Sequence, residues 1–250
     1  MVTEVQHSRC HPALLRLPRK IAFKSGRSIC PHCNEKLKWY HNVPLLSYLI
    51  LGGKCGFCKK KISPRYPLVE ALNAGAWVYF YSVYGLTIEG GSYAFISTCL
   101  IAVFFIDLDF QIIPDSITIP GMIIGLGVSF VPGGIGIVQA GIGLLVGGGA
   151  LYLIALLGDL LFKKESMGGG DIKLAAMLGS FLGWQKVLFI FMASAVVGLV
   201  ISVAIMTVSA KLRETRKIPF GPFIAIAAML AIVWGDRIIQ YYIDNFLGAH

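Results

Sequence analysis

Long apolar segments follow one another through most of this chain, and short polar or glycine-rich turns separate them. An apolar helix needs about 20 residues to cross a bilayer, and most of these segments approach or exceed that length. The fifth segment is short, which favours a broken or partly immersed helix. The pattern therefore predicts an all-α polytopic membrane protein with about seven transmembrane helices. The segments run approximately over residues 66–84, 92–106, 115–131, 136–162, 171–183, 187–210 and 220–241.

The first 65 residues differ from the rest of the chain. They are polar, basic and rich in turn residues, and no membrane span fits among them. No apolar run follows the first basic residues, as it would in a cleavable signal peptide. We therefore divide the chain into an N-terminal region, residues 1–65, and a transmembrane domain, residues 66–250.

Composition and charge agree with a membrane protein and argue against a nucleic-acid partner. The chain is 56% hydrophobic and 14% charged, whereas soluble domains contain about 25% charged residues. The net charge of +9 is unevenly distributed, because 13 of the 22 Lys and Arg residues lie between Arg9 and Arg65. Such clusters mark cytoplasmic segments and favour contact with anionic lipids. We expect a multi-pass protein whose N-terminal region faces the cytoplasm.

Two cysteine pairs stand out in the N-terminal region. Cys30 and Cys33 form one Cys-x-x-Cys motif, Cys55 and Cys58 form another, and 21 residues separate the two motifs. Two such motifs supply the four thiolates of a tetrahedral structural zinc site. The alternatives are two disulfides or a redox pair, but thiols stay reduced on the cytoplasmic side. The spacing therefore favours a structural Zn²⁺ bound to a small cytoplasmic loop domain.

Two aspartates lie where apolar segments meet the cytoplasmic side. Asp107 ends the second segment and Asp171 begins the fifth. An acid at a membrane is costly unless it is solvated, paired or used. Two carboxylates that share one proton can activate water and protonate a carbonyl, as peptide hydrolysis requires. The pair favours an aspartyl peptidase. The alternative is two unrelated acids at helix ends, and Asp109 is another candidate partner.

The residues around Asp171 fit a site that admits a peptide. Gly168, Gly169 and Gly170 precede it and remove side chains from its approach, so an extended substrate backbone can come close. Lys173 either reaches lipid headgroups or biases Asp171 toward its charged form.

Two further acids lie near the predicted helix starts. Glu70 lies in the first turn of the first span, where it either supports the site or is stabilised by the helix N-terminus. Asp115 follows Pro114 and is predicted to cap the third helix.

At these residues the chain resembles the bacterial prepilin peptidase family, part of the wider class of membrane aspartyl proteases with a Gly-x-Gly-Asp motif. That motif corresponds to residues 168–171, and the first family aspartate falls on Asp107, seven residues before Pro114. The cysteine pairs and residues 39–44 and 63–70 are also similar to the family. The resemblance covers roughly residues 17–245.

The resemblance implies an endopeptidase that removes leader peptides from type IV prepilins or type II secretion pseudopilins at the bacterial inner membrane. Asp107 and Asp171 are then the catalytic pair. Cleavage in the family typically follows a glycine on the cytoplasmic side. Many members also methylate the new N-terminus with S-adenosylmethionine, and the cysteine loop is involved in that step.

One feature departs from the family pattern. Members usually have eight transmembrane helices, the first of which precedes the cysteine loop, whereas residues 1–15 are polar here and only residues 16–18 keep the family's Arg-Leu-Pro. This leaves a peptidase-only variant as one alternative. A non-enzymatic membrane scaffold or transporter with a zinc-stabilised loop is the other. The sequence contains no glycine-rich nucleotide-binding loop after a strand, so no motif in it indicates a methyl-donor pocket.

Overall fold

The computed structural model describes residues 33, 35, 45–163, 167–208 and 219–247. Across these residues the regular structure is helical, apart from one isolated antiparallel bridge between Lys54 and Lys61. The predicted all-α class is therefore confirmed. The helices are α1 (Leu46–Ile50), α2 (Arg65–Tyr84), α3 (Ile88–Phe110), α4 (Asp115–Ser129), α5 (Ile137–Phe162), α6 (Gly169–Val208) and α7 (Gly221–Tyr242), and a π-helical turn, Ile243–Leu247, follows α7.

Four described helices, α3, α5, α6 and α7, are long and apolar enough to cross a membrane. The sequence pattern predicts about seven spans, and three features of the described helices explain the lower number. The 15 residues of α4 make it shorter than a full span. Polar residues such as Glu70 lower the mean hydropathy of α2. The predicted fifth and sixth spans form the single element α6, which is interrupted at Gly183.

The chain forms two compact units, one ending at Tyr79 and the other beginning at Phe80, inside α2. In the first unit, the loop before α2 folds around two cysteines. The Cys55 amide donates to the carbonyl of Lys60 (2.8 Å), and the Lys59 amide donates to the carbonyl of Cys55 (3.1 Å). Lys59 has a positive φ of 57°. This tight turn presents Cys55 and Cys58 on the same loop.

In the second unit, α5 and the first half of α6 pack backbone to backbone. A Cβ on Gly143 or on Gly147 would collide with the backbone of Gly179 or of Ala175, respectively. Small residues permit this close approach, which lets two apolar helices gain van der Waals contact inside a membrane. The order of the contacts shows that the two segments run antiparallel.

The interruption of α6 at Gly183 reverses the chain. This residue has φ 79° and ψ 170°, which is not helical. Beyond it, Lys186 lies beside Gly235 and Gly198 lies beside Phe223, so the second half of α6 runs antiparallel to α7. The predicted break between a short fifth and a longer sixth segment is thus found at this glycine.

The helix directions gather several polar residues at one end of the second unit, which we call the acidic end. The last turn of α3 contacts the first turn of α7 there, through Asp107 and Gly221. The first turns of α4 and α6 meet there as well, through Asp115 and Lys173. The acidic end therefore collects residues that lie far apart in the sequence.

Lys186 lies toward the opposite end of the second unit. The residue is only 8% exposed. Its Nζ donates to Asp236 (2.8 Å) and to the Tyr93 hydroxyl (3.1 Å). It also lies 5.4 Å from the centre of the Tyr93 ring. This lysine is therefore part of the packing between α3, α6 and α7, and its charge is paired with the largely exposed carboxylate of Asp236.

Candidate active site

Asp107 is positioned by the end of α3 and the start of α7. It is 4% exposed, and its Oδ2 accepts a hydrogen bond of 3.1 Å from the backbone amide of Gly221. The first amides of a helix have no partner within the helix and attract negative charge. The start of α7 therefore holds the Asp107 carboxylate in one orientation. α3 ends three residues later at Phe110, and its C-cap, Gln111, has a φ of 53°.

Asp171 lies in the first turn of α6, directly after the three glycines. Its amide donates to the carbonyl of Gly168 at 3.1 Å. Its Oδ1 is buried and has no hydrogen-bond partner among the described residues. Buried polar atoms in folded proteins are nearly always bonded, so an exception requires an explanation such as a catalytic role or a bound water.

The structure brings the two predicted aspartates together. Asp107 and Asp171 are close enough to interact electrostatically. The Ile113 side chain lies against the glycine next to Asp171 and against the glycine that donates to Asp107. A Cβ on Gly170 would lie 2.9 Å from Ile113 Cβ, and a Cβ on Gly221 would lie 3.2 Å from Ile113 Cδ1. Two adjacent carboxylates with little solvent can share one proton, which supplies a base and an acid in the same place.

The three glycines before Asp171 have different surroundings. A Cβ on Gly169 would meet no atom within 4 Å, and a Cβ on Gly168 would meet only the Oδ2 of Asp171, at 3.3 Å. Within the described part of the chain these two positions leave space beside the acid, and the predicted role of the glycines in admitting a substrate backbone stays a prediction. Gly170 instead packs tightly against Ile113. Its small size therefore serves helix packing.

Lys173 forms an ion pair with Asp115. Its Nζ lies 2.7 Å and 2.8 Å from the two carboxylate oxygens of Asp115. The predicted N-cap role of Asp115 is wrong, because Pro114 occupies the cap position and no side chain caps α4. The pair is about half exposed, so it contributes about 0–1 kcal/mol to stability. Its effect is to link the first turns of α4 and α6.

Glu70 belongs to the first unit, where its Oε2 accepts a hydrogen bond of 2.9 Å from the Leu45 amide. This contact gives it a structural role in holding the loop before α1 to α2. Its predicted role in supporting the aspartate pair stays a prediction.

A candidate metal centre lies in the first unit. The sulfur atoms of Cys33, Cys55 and Cys58 all lie within 4.8 Å of one another, and Cys55 is buried. Three converging sulfur donors can hold a metal ion. Cys30, the predicted fourth ligand, lies outside the described residues, as do residues 16–18 and 39–44.

Two residues of the site were not predicted from the sequence. Gly221 donates the hydrogen bond to Asp107, and Ile113 lies against both Gly170 and Gly221. The only local signal for Gly221 is the Pro222 that follows it, since proline is common in the first turn of a helix. That signal marks a helix start but does not indicate which carboxylate the start faces.

Family models match both parts of this chain. The model described as the Bacterial Peptidase A24 N-terminal domain matches residues 2–84, and the model described as the Type IV leader peptidase family matches residues 94–203. The first match includes the four motif cysteines, and the second includes Asp107 and Asp171.

The similarity to curated proteins extends over most of the chain. A prepilin leader peptidase/N-methyltransferase of Aeromonas hydrophila is 38% identical over 225 residues, which cover 88% of this chain and 76% of the relative. The chain belongs to the type IV leader peptidase family. Proteins of the same name from Pseudomonas aeruginosa and Legionella pneumophila are also 38% identical, covering 87% and 88% of this chain and 74% and 77% of their own lengths. No solved structure matches the chain.

Membership of the type IV leader peptidase family confirms the resemblance drawn from the motifs. It supports an enzyme of the peptidase class located in a membrane, and it contradicts the scaffold or transporter interpretation. The individual roles of the two aspartates and of their supporting residues stay predictions, for which the geometry above is the basis.

Gly221→Ala tests whether the start of α7 orients Asp107. The added Cβ would lie 2.6 Å from Asp107 Oδ2, so the carboxylate must move. Because a small misplacement of a reacting group can cost about 100-fold in rate, we expect kcat for leader cleavage to fall about 10- to 100-fold. Gly127→Ala is the matched control, since a Cβ there meets no atom within 4 Å. Equal kcat values for the two variants would contradict this role of Gly221.

Proposed function

We propose that this protein removes the leader peptides of type IV prepilins or type II secretion pseudopilins and then methylates the new N-terminus. The observation that supports the peptidase activity most directly is the pairing of Asp107 with Asp171 at the acidic end. The chain's membership of a leader peptidase family supports the choice of substrate. The names of the relatives, which join the two activities, favour a bifunctional enzyme over a peptidase-only variant.

In the proposed reaction, the two carboxylates share one proton before the substrate binds. The ionised carboxylate takes a proton from water as the water oxygen attacks the scissile carbonyl carbon. The protonated carboxylate donates its proton to the carbonyl oxygen. The tetrahedral intermediate then collapses and the C–N bond breaks. The carboxyl group that took the proton from water gives it to the leaving amine, and the other carboxylate takes a proton from a hydroxyl of the intermediate, which restores the shared proton. The open space beside Gly168 and Gly169 admits the substrate backbone to the pair.

We assign residues 1–65 to a zinc-binding region and residues 66–250 to the peptidase domain. Cys33, Cys55 and Cys58 are three ligands of the proposed zinc ion, and Cys30 is the fourth. A four-thiolate zinc site carries a net negative charge, which the neighbouring Lys54, Lys59 and Lys60 offset. Such a closed site stabilises a fold and leaves no coordination position for substrate. S-adenosylmethionine would supply the methyl group for the second reaction.

We place the protein in the bacterial inner membrane with its basic N-terminal region in the cytoplasm. The concentration of Lys and Arg residues before Tyr66 supports this orientation. It also supports contact of this region with anionic membrane lipids. The sequence pattern places Asp107 and Asp171 at cytoplasmic ends of apolar segments, which supports cleavage on the side where the leader peptide of a membrane-inserted prepilin lies.

The test is mass spectrometry of a model prepilin after incubation with the purified protein and S-adenosylmethionine. We expect a product that has lost its leader after a glycine and carries one additional methyl group. A prepilin with a bulky residue in place of that glycine is the matched control and should stay intact. An intact wild-type prepilin would overturn the peptidase assignment. A cleaved product without the methyl group would overturn only the second activity.

A further inference from the structure

Two buried side-chain atoms lack a hydrogen-bond partner among the described residues: Asp171 Oδ1 and Thr118 Oγ1. Asp171 belongs to the proposed catalytic pair. Thr118 has no assigned role, yet its side chain is completely buried, at 0% exposure. A buried hydroxyl without a partner is less favourable than a methyl group of the same shape, so valine would be the more stable residue if the hydroxyl had no use.

Thr118 and Asp171 lie on adjoining helices near the same end. α4 and the first half of α6 run parallel, since Gly121 packs on Met177 and Gly125 packs on Phe181. The same register places Thr118 level with Leu174, one helical turn beyond Asp171. Side chains in a helix lean toward its N-terminus, so the side chains of Thr118 and Asp171 both lean toward the acidic end, from two adjoining parallel helices.

The usual local partner of a helical threonine does not account for this hydroxyl. In many helices the threonine hydroxyl donates to the carbonyl four residues earlier. Here the carbonyl of Pro114 already accepts the backbone amides of Ile117 (3.0 Å) and Thr118 (3.3 Å), and Thr118 Oγ1 makes no hydrogen bond to it. The hydroxyl therefore remains available for a group between α4 and α6.

We propose that Thr118 is a positioning residue for leader cleavage, whose hydroxyl and Asp171 Oδ1 bind the same buried water molecule. A water in such a polar site satisfies both atoms and has further hydrogen-bonding capacity toward the substrate side. The bridge holds the Asp171 carboxylate in the orientation that faces Asp107. The ion pair between Asp115 and Lys173 joins the same two helix starts, which is a second contact between α4 and α6 at this end. This proposal rests on the proposed peptidase activity.

The test compares Thr118→Val, Thr118→Ser and wild type in the prepilin cleavage assay, with kcat and KM measured separately. We expect Thr118→Val to lower kcat about 10- to 100-fold, the range for one hydrogen bond to a charged group. KM should stay within about twofold of wild type. The thermal midpoint should not fall, since valine keeps the shape and removes an unsatisfied hydroxyl. Thr118→Ser restores the hydroxyl and should recover most of kcat.

Thr98→Val is the matched control. It makes the same chemical change in α3, where the hydroxyl already donates to the carbonyl of Ala94 at 3.0 Å, and it should leave kcat near the wild-type value. Unchanged kcat in Thr118→Val would overturn the positioning role while leaving the peptidase assignment intact. So would equal losses in Thr118→Val and Thr118→Ser. If Thr118→Val does not fold, Thr118→Ala replaces it with the same expected kcat. A wild-type protein that leaves prepilin uncleaved would overturn both proposals.

Discussion

Asp171→Asn is expected to abolish leader cleavage, lowering kcat/KM by roughly 10⁴-fold. Asparagine keeps the shape of the side chain but can neither take a proton from water nor share one with Asp107. Asp107→Asn should have an effect of the same size. Because the two acids act as one unit, the double variant should be little worse than either single variant. The measurement is the rate of leader loss by mass spectrometry, with the thermal midpoint recorded for each variant.

Asp109→Asn is the matched control for this series. Asp109 lies two residues after Asp107 in the last turn of α3. Residues two apart on a helix do not share a face, so Asp109 points away from the direction in which Asp107 meets Gly221. We expect Asp109→Asn to retain cleavage within about tenfold of wild type. Loss of cleavage in Asp109→Asn together with activity in Asp107→Asn would show that the pair has been assigned to the wrong acid.

Cys58→Ala is expected to remove the metal from the first unit. Zinc in small four-ligand sites contributes about 10–16 kcal/mol of apparent binding free energy. This is comparable to the whole stability of a typical domain, about 5–15 kcal/mol. Loss of one ligand should therefore unfold the loop around Cys55. We expect zinc per chain to fall from about one toward zero by elemental analysis, and the loop to become sensitive to limited proteolysis.

The two proposed activities should respond differently to this change. The described contacts of Asp107 and Asp171 all lie within the second unit, so leader cleavage should persist in Cys58→Ala. Methylation should be lost if the cysteine loop takes part in it. Cys99→Ala is the control, because this cysteine lies in α3 and outside the sulfur cluster. A wild-type protein without zinc, or a Cys58→Ala protein that retains it, would contradict the metal assignment.

The helices were predictable from the sequence because each is encoded locally. An apolar run in a membrane protein must satisfy its own backbone hydrogen bonds, and a helix does this within one segment. The break near Gly183 was also predictable from the sequence, since the fifth segment is too short to cross a membrane alone. The prediction for Asp115 failed for a related reason. Acids at helix starts often cap, but here Lys173, 58 residues away, binds the carboxylate instead.

The acidic end of the second unit shows what local sequence patterns can and cannot predict. The Gly-x-Gly-Asp motif and the position of Asp107 at the end of an apolar segment predict an acid pair, and the structure brings these two residues together. Nothing local indicates that Gly221, 114 residues from Asp107, donates to it. The ion pair of the buried Lys186 with the exposed Asp236 depends in the same way on how α6 folds back along α7, and the sequence does not indicate it.

The sequence by itself determined the all-α membrane class, the family and the residue types of both candidate sites, because hydropathy, short motifs and spacing are local properties. Only the tertiary structure decided which groups meet. It turned α6 at Gly183, set the parallel register of α4 and α6, and left the Thr118 hydroxyl buried in α4 without a partner among the described residues. The physical reason is that side-chain contacts between helices depend on their register and direction. Many distant small residues fix these together, and no single segment encodes them.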